Sequence, residues 1–84
     1  MLDSISLEAR VAVLIREILV ERSIDRSVSA DDNLRDVGLT SIDMVNLVLS
    51  VEGKFNVEIP ESEIKPANFR SIRTICTMIG RLLN

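Results

Sequence analysis

Residues 34–43 have the sequence Leu-Arg-Asp-Val-Gly-Leu-Thr-Ser-Ile-Asp and contain the start of a helix. Gly38 is the position at which the backbone can turn with a positive φ and so end a short turn just before it. Thr40 and Asp43 are three residues apart, which is the spacing of a capping box at a helix N-terminus. With Thr40 as the cap, the hydroxyl of Ser41 is released from capping and can face water in the first helical turn.

This helix start favours a serine that is modified over a serine that attacks a substrate. A helix N-terminus offers free N–H groups and a positive dipole potential, so a phosphate carried on Ser41 is tolerated there. The chain contains no histidine, which excludes a Ser-His-Asp triad and metal sites that use histidine. Taken alone, Ser41 is also compatible with an ordinary serine in a first helical turn.

The helix that starts at Ser41 is predicted to extend to about residue 54 and to carry two separate apolar surfaces. At about 100° per residue, one arc of the helix is suited to the core, and it contains Met44, Leu47, Val48, Val51 and Phe55. A polar stripe beside this arc contains Asp43, Asn46, Ser50 and Lys54. A second apolar strip, centred roughly 120° from the core face, adjoins Ser41 and consists of Ile42, Val45 and Leu49.

We call Ile42, Val45 and Leu49 the docking strip. A helix in a domain of this size can hardly bury both apolar surfaces. An apolar strip left in water beside a modifiable serine is typical of a surface that binds a partner. The alternative is a helix covered on both sides, with the long preceding loop packed on the docking strip.

Two further amphipathic helices are predicted, one on each side of this one. The first covers about residues 5–22, and its candidate N-caps are Asp3, Ser4 and Ser6. The last covers about residues 71–83 and is capped by Ser71, which follows an irregular stretch at 65–68.

The connection over residues 23–40 is long for a loop inside a compact domain. Its apolar residues are expected to lie across the helices and to be buried; they are Ile24, Val28, Leu34, Val37 and Leu39. Residues 59–64 are predicted to form one short helical turn, because a proline and acids suit a helix start. The predicted fold class is therefore all-α, a four-helix bundle with three long helices, one short helix and a long first loop.

The composition is that of a small globular domain. The chain has 84 residues, 46% of them hydrophobic and 27% charged, so residues 1–84 are expected to form one domain. The net charge of −3 and the absence of Trp and Tyr make nucleic acid an unsuitable partner. No apolar run reaches the roughly 20 residues of a membrane span, and the N-terminus has no signal-peptide pattern.

The chain has a single cysteine, Cys76, which excludes an internal disulfide and a Cys-rich zinc site. A lone thiol is typical of a reducing compartment, so a cytoplasmic location is predicted. Cys76 shares the apolar face of the last helix and is predicted to be buried, where a thiol behaves as a small hydrophobe. The alternative is a reactive thiol that itself holds cargo.

Two motifs of the chain resemble the carrier-protein family that bears 4'-phosphopantetheine, which comprises acyl, peptidyl and aminoacyl carrier proteins. The motifs are Gly-Leu-Thr-Ser-Ile-Asp at 38–43 and Glu-Gly-Lys-Phe-Asn-Val-Glu-Ile-Pro at 52–60, and the likeness extends over nearly the whole chain. The resemblance implies a bundle of acyl-carrier-protein type in which Ser41 receives 4'-phosphopantetheine covalently from coenzyme A. It also implies that Asp43 assists the modifying phosphopantetheinyl transferase and that the helix starting at Ser41 docks partner enzymes.

The chain departs from fatty-acid carriers in two respects. Many of those carriers have Asp where this chain has Thr40, and their second long helix is rich in acids along its exposed side, whereas this one has few. The stretch over residues 65–72 resembles small standalone carriers that a dedicated ligase loads with an amino acid. An aminoacyl cargo is therefore one hypothesis, and a fatty-acid intermediate is the other.

The resulting prediction is a carrier protein, not an enzyme, that holds an activated acyl or aminoacyl group as a thioester. Its expected partners are the phosphopantetheinyl transferase and a ligase or synthase that loads the cargo. The residues expected to contact partners are Ile42, Val45, Leu49 and Glu52. The chain is expected to be a monomer with no metal and no membrane partner. The alternative function is an unmodified helical interaction module that uses the same docking strip.

Overall fold

The computed structural model describes residues 6–83, and helices account for all regular secondary structure in that range. Four α-helices follow one another along the chain: α1 (Leu7–Glu21), α2 (Leu34–Val37), α3 (Ser41–Phe55) and α4 (Ile72–Leu83). Two 3-10 helices lie between α3 and α4, at Glu61–Glu63 and Pro66–Phe69. The predicted all-α class with three long helices is confirmed. None of the helices described is long and apolar enough to cross a membrane.

Polar groups close both ends of α1. The Ser6 hydroxyl accepts a hydrogen bond from the Ala9 N–H at 3.0 Å, so Ser6 is the N-cap. The other two candidate caps, Asp3 and Ser4, lie outside the described residues. At the C-terminal end, Arg22 is the C-cap, and its backbone N–H donates to the Ile18 carbonyl at 2.9 Å.

The long first loop is shaped by α2, which forms where the sequence predicts a short turn. The Asn33 side chain caps this helix by accepting from the Arg35 N–H at 2.9 Å. Gly38 ends it with a φ of 124°, so the predicted positive φ is confirmed. A Cβ at Gly38 would also lie 3.2 Å from Cδ1 of Ile24, so a larger residue is disfavoured there on two grounds.

The first loop is fastened to the start of α4 by backbone hydrogen bonds. The Leu34 N–H donates to the Arg70 carbonyl at 2.8 Å, and the Arg73 N–H donates to the Ala30 carbonyl at 3.0 Å. The Arg73 side chain adds an exposed ion pair with Asp31, with Nε 2.6 Å from Oδ1. These contacts fix the loop, and with it the approach of the chain to α3.

The segment between α3 and α4 differs from the prediction at two points. Pro60 is the residue before the first 3-10 helix instead of its first residue. The stretch over 65–68, which the sequence predicts to be irregular, contributes to the second 3-10 helix. Asn68 explains this order, because its buried side chain donates to the Glu63 carbonyl at 2.8 Å and so ties the two turns together.

The start of α4 has the predicted cap. Ser71 accepts at its hydroxyl from the Thr74 N–H at 3.2 Å, and the Thr74 hydroxyl accepts from the Ser71 N–H at 3.0 Å. The pair satisfies backbone N–H groups that a helix N-terminus would otherwise leave free.

One hydrophobic core joins the three long helices and the first loop. Its fully buried side chains are Val11, Ile15, Leu34, Leu47, Val51, Ile75, Met78 and Ile79. The predicted loop anchors Leu34, Val37 and Leu39 are buried, whereas Ile24 and Val28 are partly buried. The sequence predicts that Cys76 is buried, but Cys76 is only half-buried, because it lies at the edge of the core.

Candidate functional site

Ser41 is the first residue of α3, and its side chain is exposed. Thr40 is the N-cap, and its hydroxyl accepts from the Asp43 N–H at 3.3 Å. The Asp43 carboxylate accepts in return from the Thr40 N–H at 2.8 Å. The predicted capping box is therefore confirmed. Within the described residues the Ser41 hydroxyl makes no hydrogen bond, so it is free to react with an incoming group.

The Asp43 carboxylate lies inside the protein. The polar stripe predicted from the helical wheel includes Asp43, and for this residue that prediction is wrong, because only 5% of it is exposed. The reason is an ion pair with Arg22, which reaches across from the end of α1. Burial raises the pKa of Asp43, but hydrogen bonds from Thr40 and Arg22 outweigh it and hold the pKa below its ordinary value. Asp43 is therefore a carboxylate at neutral pH.

The docking strip faces solvent. Ile42 is 73% exposed, Val45 60% and Leu49 62%, whereas Leu47 and Val51 on the opposite arc are fully buried. The predicted rotation of the helix is confirmed, and the first loop does not cover the strip. Three large apolar side chains in a row beside Ser41 form the kind of exposed patch that marks an interaction site.

A groove of about 500 Å³ opens beside Ser41, between α3 and the segment over residues 64–70. Its walls are mostly apolar and include Met44, Val45 and Val48 from α3 and Ile64, Pro66 and Phe69 from the facing segment. Met44, which the sequence assigns to the core face, is half-buried because it lies at this groove. The groove depends on how residues 60–70 fold, and no local sequence signal indicates it.

Three cations surround this groove. They are Arg35 from α2, and Lys65 and Arg70 from the segment before α4. In the part of the chain that the structure describes, none of the three forms an ion pair. The groove beside Ser41 therefore has apolar walls and a positively charged rim.

The other side of the docking strip has the opposite charge. Leu49 borders a second, smaller depression to which α1 contributes Glu17 and Glu21. Glu52, which the sequence places among the partner-binding residues, is half-buried, and its Oε2 accepts from the Ile59 N–H at 2.9 Å. This contact holds the chain where it leaves α3, and a role of Glu52 in partner binding stays a prediction.

Comparisons with known proteins agree with this geometry. The family model described as Phosphopantetheine attachment site matches residues 9–79. The protein named Aminoacyl carrier protein 1, from Bradyrhizobium diazoefficiens, is 46% identical over 70 residues, which cover 83% of this chain and 78% of that protein.

Two crystal structures of a Bradyrhizobium japonicum glycine:carrier protein ligase contain a chain similar to this one. In the complex with the cognate carrier protein and an analogue of glycyl adenylate, the TM-score is 0.77 at 42% identity, over 90% of this chain and 99% of that chain. In the complex with glycylated carrier protein, the TM-score is 0.75 at 44% identity, over 87% and 99%.

The family match spans Ser41, the capped start of α3 and the helices that hold it. The similar proteins share the fold over nearly their whole length. The chain therefore belongs to the phosphopantetheine attachment site family, whose members are carrier proteins that bear 4'-phosphopantetheine covalently.

Proposed function

We propose that this protein is an aminoacyl carrier protein that bears 4'-phosphopantetheine on Ser41. The observation that carries the proposal is that separate residues cap α3 and offer the reactive hydroxyl at its start. Thr40 and Asp43 satisfy each other's backbone N–H groups, and Ser41 is left exposed with a free hydroxyl. An exposed apolar strip for partners lies directly beside it.

The surroundings of Ser41 fit the group that the family carries. The exposed hydroxyl can form a phosphodiester, and the N–H groups of the first turn favour a negative charge there. The groove alongside offers apolar walls to the body of the arm, and its rim of Arg35, Lys65 and Arg70 suits an anionic phosphate. When attached, the arm supplies a terminal thiol that holds the cargo as a thioester.

Similarity to carriers of amino acids favours an aminoacyl cargo. One relative is named as an aminoacyl carrier protein, and a similar chain was crystallised in its glycylated form with a ligase. We therefore propose that an amino acid:carrier protein ligase loads this protein. Such a ligase would dock on the docking strip, and Glu52 borders the end of the same helix.

We propose that residues 1–84 form one monomeric carrier domain of the cytoplasm that performs no bond chemistry of its own. The single core formed by all three long helices supports one domain. The lone cysteine supports the cytoplasmic location. The absence of histidine supports a protein that performs no bond chemistry of its own.

Intact-mass measurement tests the attachment site. Apo protein incubated with coenzyme A and a broad-specificity phosphopantetheinyl transferase is expected to gain the mass of one phosphopantetheine group. Ser41→Ala is expected to gain none and to keep its far-UV circular dichroism, because the Thr40 cap is intact. Ser50→Ala, which removes another exposed serine of α3, is the matched control and is expected to be modified normally. Modification of Ser41→Ala would refute the assignment, and an unmodified wild-type protein would favour the interaction module.

Loading of the modified protein tests the cargo. With ATP, glycine and the Bradyrhizobium ligase, the holo protein is expected to gain a second mass increment that neutral hydroxylamine removes, as it removes a thioester. Loading by a fatty-acyl synthetase but by no amino acid ligase would contradict an aminoacyl cargo and leave the acyl alternative.

A further inference from the structure

The residue that follows α1 reaches the first turn of α3. Arg22 is the C-cap of α1, and its guanidinium pairs with the Asp43 carboxylate. About two-fifths of the Arg22 side chain remains exposed, whereas the Asp43 side chain is 7% exposed. The contact thus joins a surface side chain of one helix to a buried group at the start of another.

One oxygen atom of Asp43 accepts hydrogen bonds from both Thr40 and Arg22. Its Oδ2 accepts from the Thr40 N–H at 2.8 Å, from the Thr40 hydroxyl at 3.1 Å and from Nη1 of Arg22. Thr40 is bonded directly to Ser41. This carboxylate oxygen therefore fixes the Leu39–Thr40 peptide unit and the Thr40 side chain, one residue before the attachment residue.

We propose that Arg22 is a positioning residue for the modification of Ser41. It holds the Asp43 carboxylate in place and, through that carboxylate, the turn formed by Thr40 and Ser41. The inference rests on the proposed function, because it takes Ser41 as the attachment site. It also gives Asp43 an indirect role: its buried carboxylate supports the turn from within and is not offered to the transferase.

The reason is the cost of a buried carboxylate without a counter-charge. Arg22 supplies that charge, and without it Asp43 must take up a proton or move towards water. Either change weakens the hydrogen bonds to Thr40 and releases the turn. The guanidinium lies outside the hydrophobic core, so truncating Arg22 removes no core side chain.

The modification reaction is sensitive to such a release. The Ser41 oxygen forms a bond to the phosphorus nearer the pantetheine half of coenzyme A, and the P–O bond of the pyrophosphate breaks. The nucleotide half leaves with the bridging oxygen, and the proton of the serine hydroxyl passes to this leaving phosphate. Misplacing a reacting atom by about 1 Å can cost about a hundredfold in rate. The docking strip lies on the outer face of the helix, so binding of the transferase depends much less on Arg22.

Steady-state kinetics of the transferase with the apo protein as the varied substrate tests the proposal. For Arg22→Ala we expect kcat to fall about tenfold or more while KM changes by less than about threefold. Arg22→Lys restores the charge and is expected to recover most of the rate. Arg16→Ala, an exposed arginine of α1 with no ion pair in the described residues, is the matched control and is expected to behave as the wild type.

The Asp43→Asn background shows whether Arg22 acts through Asp43. In that background Arg22→Ala is expected to cause no further loss of kcat, because the charge that Arg22 holds is already gone. By NMR, the Asp43 carboxyl is expected to titrate at a higher pH in Arg22→Ala than in the wild type. If Arg22→Ala does not fold, Arg22→Gln, which keeps a donor but not the charge, takes its place.

Three results would overturn the proposal. They are an unchanged kcat, a loss that only follows the unfolded fraction in circular dichroism, and a loss of the same size in the Asp43→Asn background. A wild-type protein that the transferase does not modify would instead overturn the proposed function on which the inference rests.

Discussion

Replacing Leu47 by alanine is expected to remove a large share of the stability of this protein. The side chain is fully buried, and truncation removes about three carbon groups at about 0.8 kcal/mol each, or about 2.4 kcal/mol of transfer free energy. The cavity left behind raises the expected loss to about 3–4 kcal/mol. At roughly 0.05–0.15 kcal/mol per residue, a chain of this length has only about 4–13 kcal/mol of unfolding free energy.

Leu49→Ala is the matched control. Leu49 lies on the same helix as Leu47, and both substitutions change helix propensity equally. The two positions differ in burial, because Leu49 is 62% exposed. Its free energy of unfolding is expected to stay within about 0.5 kcal/mol of the wild type, but its loading by the partner ligase is expected to slow. Urea unfolding followed by far-UV circular dichroism measures the first quantity, and the rate of thioester formation measures the second.

The opposite pattern would refute this reasoning. If Leu49→Ala were the destabilised variant and Leu47→Ala a stable protein with slow loading, α3 would be rotated about its axis. The docking strip would then be on the wrong side of the helix.

Three further predictions concern the glycines, the thiol and the acid limit of stability. Gly38→Ala is expected to lower the free energy of unfolding by about 1–3 kcal/mol, because Gly38 has a positive φ and lies close to Ile24. Gly53→Ala is expected to stabilise the protein by up to about 1 kcal/mol, because no atom lies within 4 Å of the new Cβ. Urea midpoints in the reverse order would contradict this prediction. Burial raises the pKa of the Cys76 thiol, so labelling at neutral pH is expected to be slower in the folded protein than in urea, and equal rates would be evidence against that burial. The lowered pKa of Asp43 supplies stability that is complete above about pH 4 and is lost as the pH falls through the pKa of the folded state. Asp43→Asn is expected to make the loss of unfolding free energy at acid pH less steep. An unchanged slope of stability against pH would show that Asp43 does not cause this loss.

The parts of the site that the sequence predicts are those encoded within a few residues. The capping box needs only Thr40 and Asp43, which are three residues apart, and the positive φ needs only Gly38. The separation of the docking strip from the core face follows from the geometry of one regular helix. Such features survive in any fold that forms the helix, so they could be derived without knowing what packs around it.

The parts that the sequence does not predict depend on contacts between distant segments. Arg22 and Asp43 are 21 residues apart, and only the packing of α1 on α3 brings them together. That packing buries a carboxylate which a helical wheel places in a polar stripe. The groove beside Ser41 has the same origin, because Asn68 must first tie the two 3-10 turns together through Glu63.

The hydrogen bonds between the first loop and the start of α4 have a consequence for the order in which the protein matures. Leu34 and Ala30 find their backbone partners only at Arg70 and Arg73, so the loop cannot be fixed until the C-terminal part of the chain is present. Contacts between segments so distant in sequence form late, because loop closure must come first. During synthesis, α3 therefore emerges from the ribosome before the residues that fasten the first loop to α4. The first loop is complete only when translation has passed the start of α4, so a chain that ends before Arg70 lacks both of these hydrogen bonds.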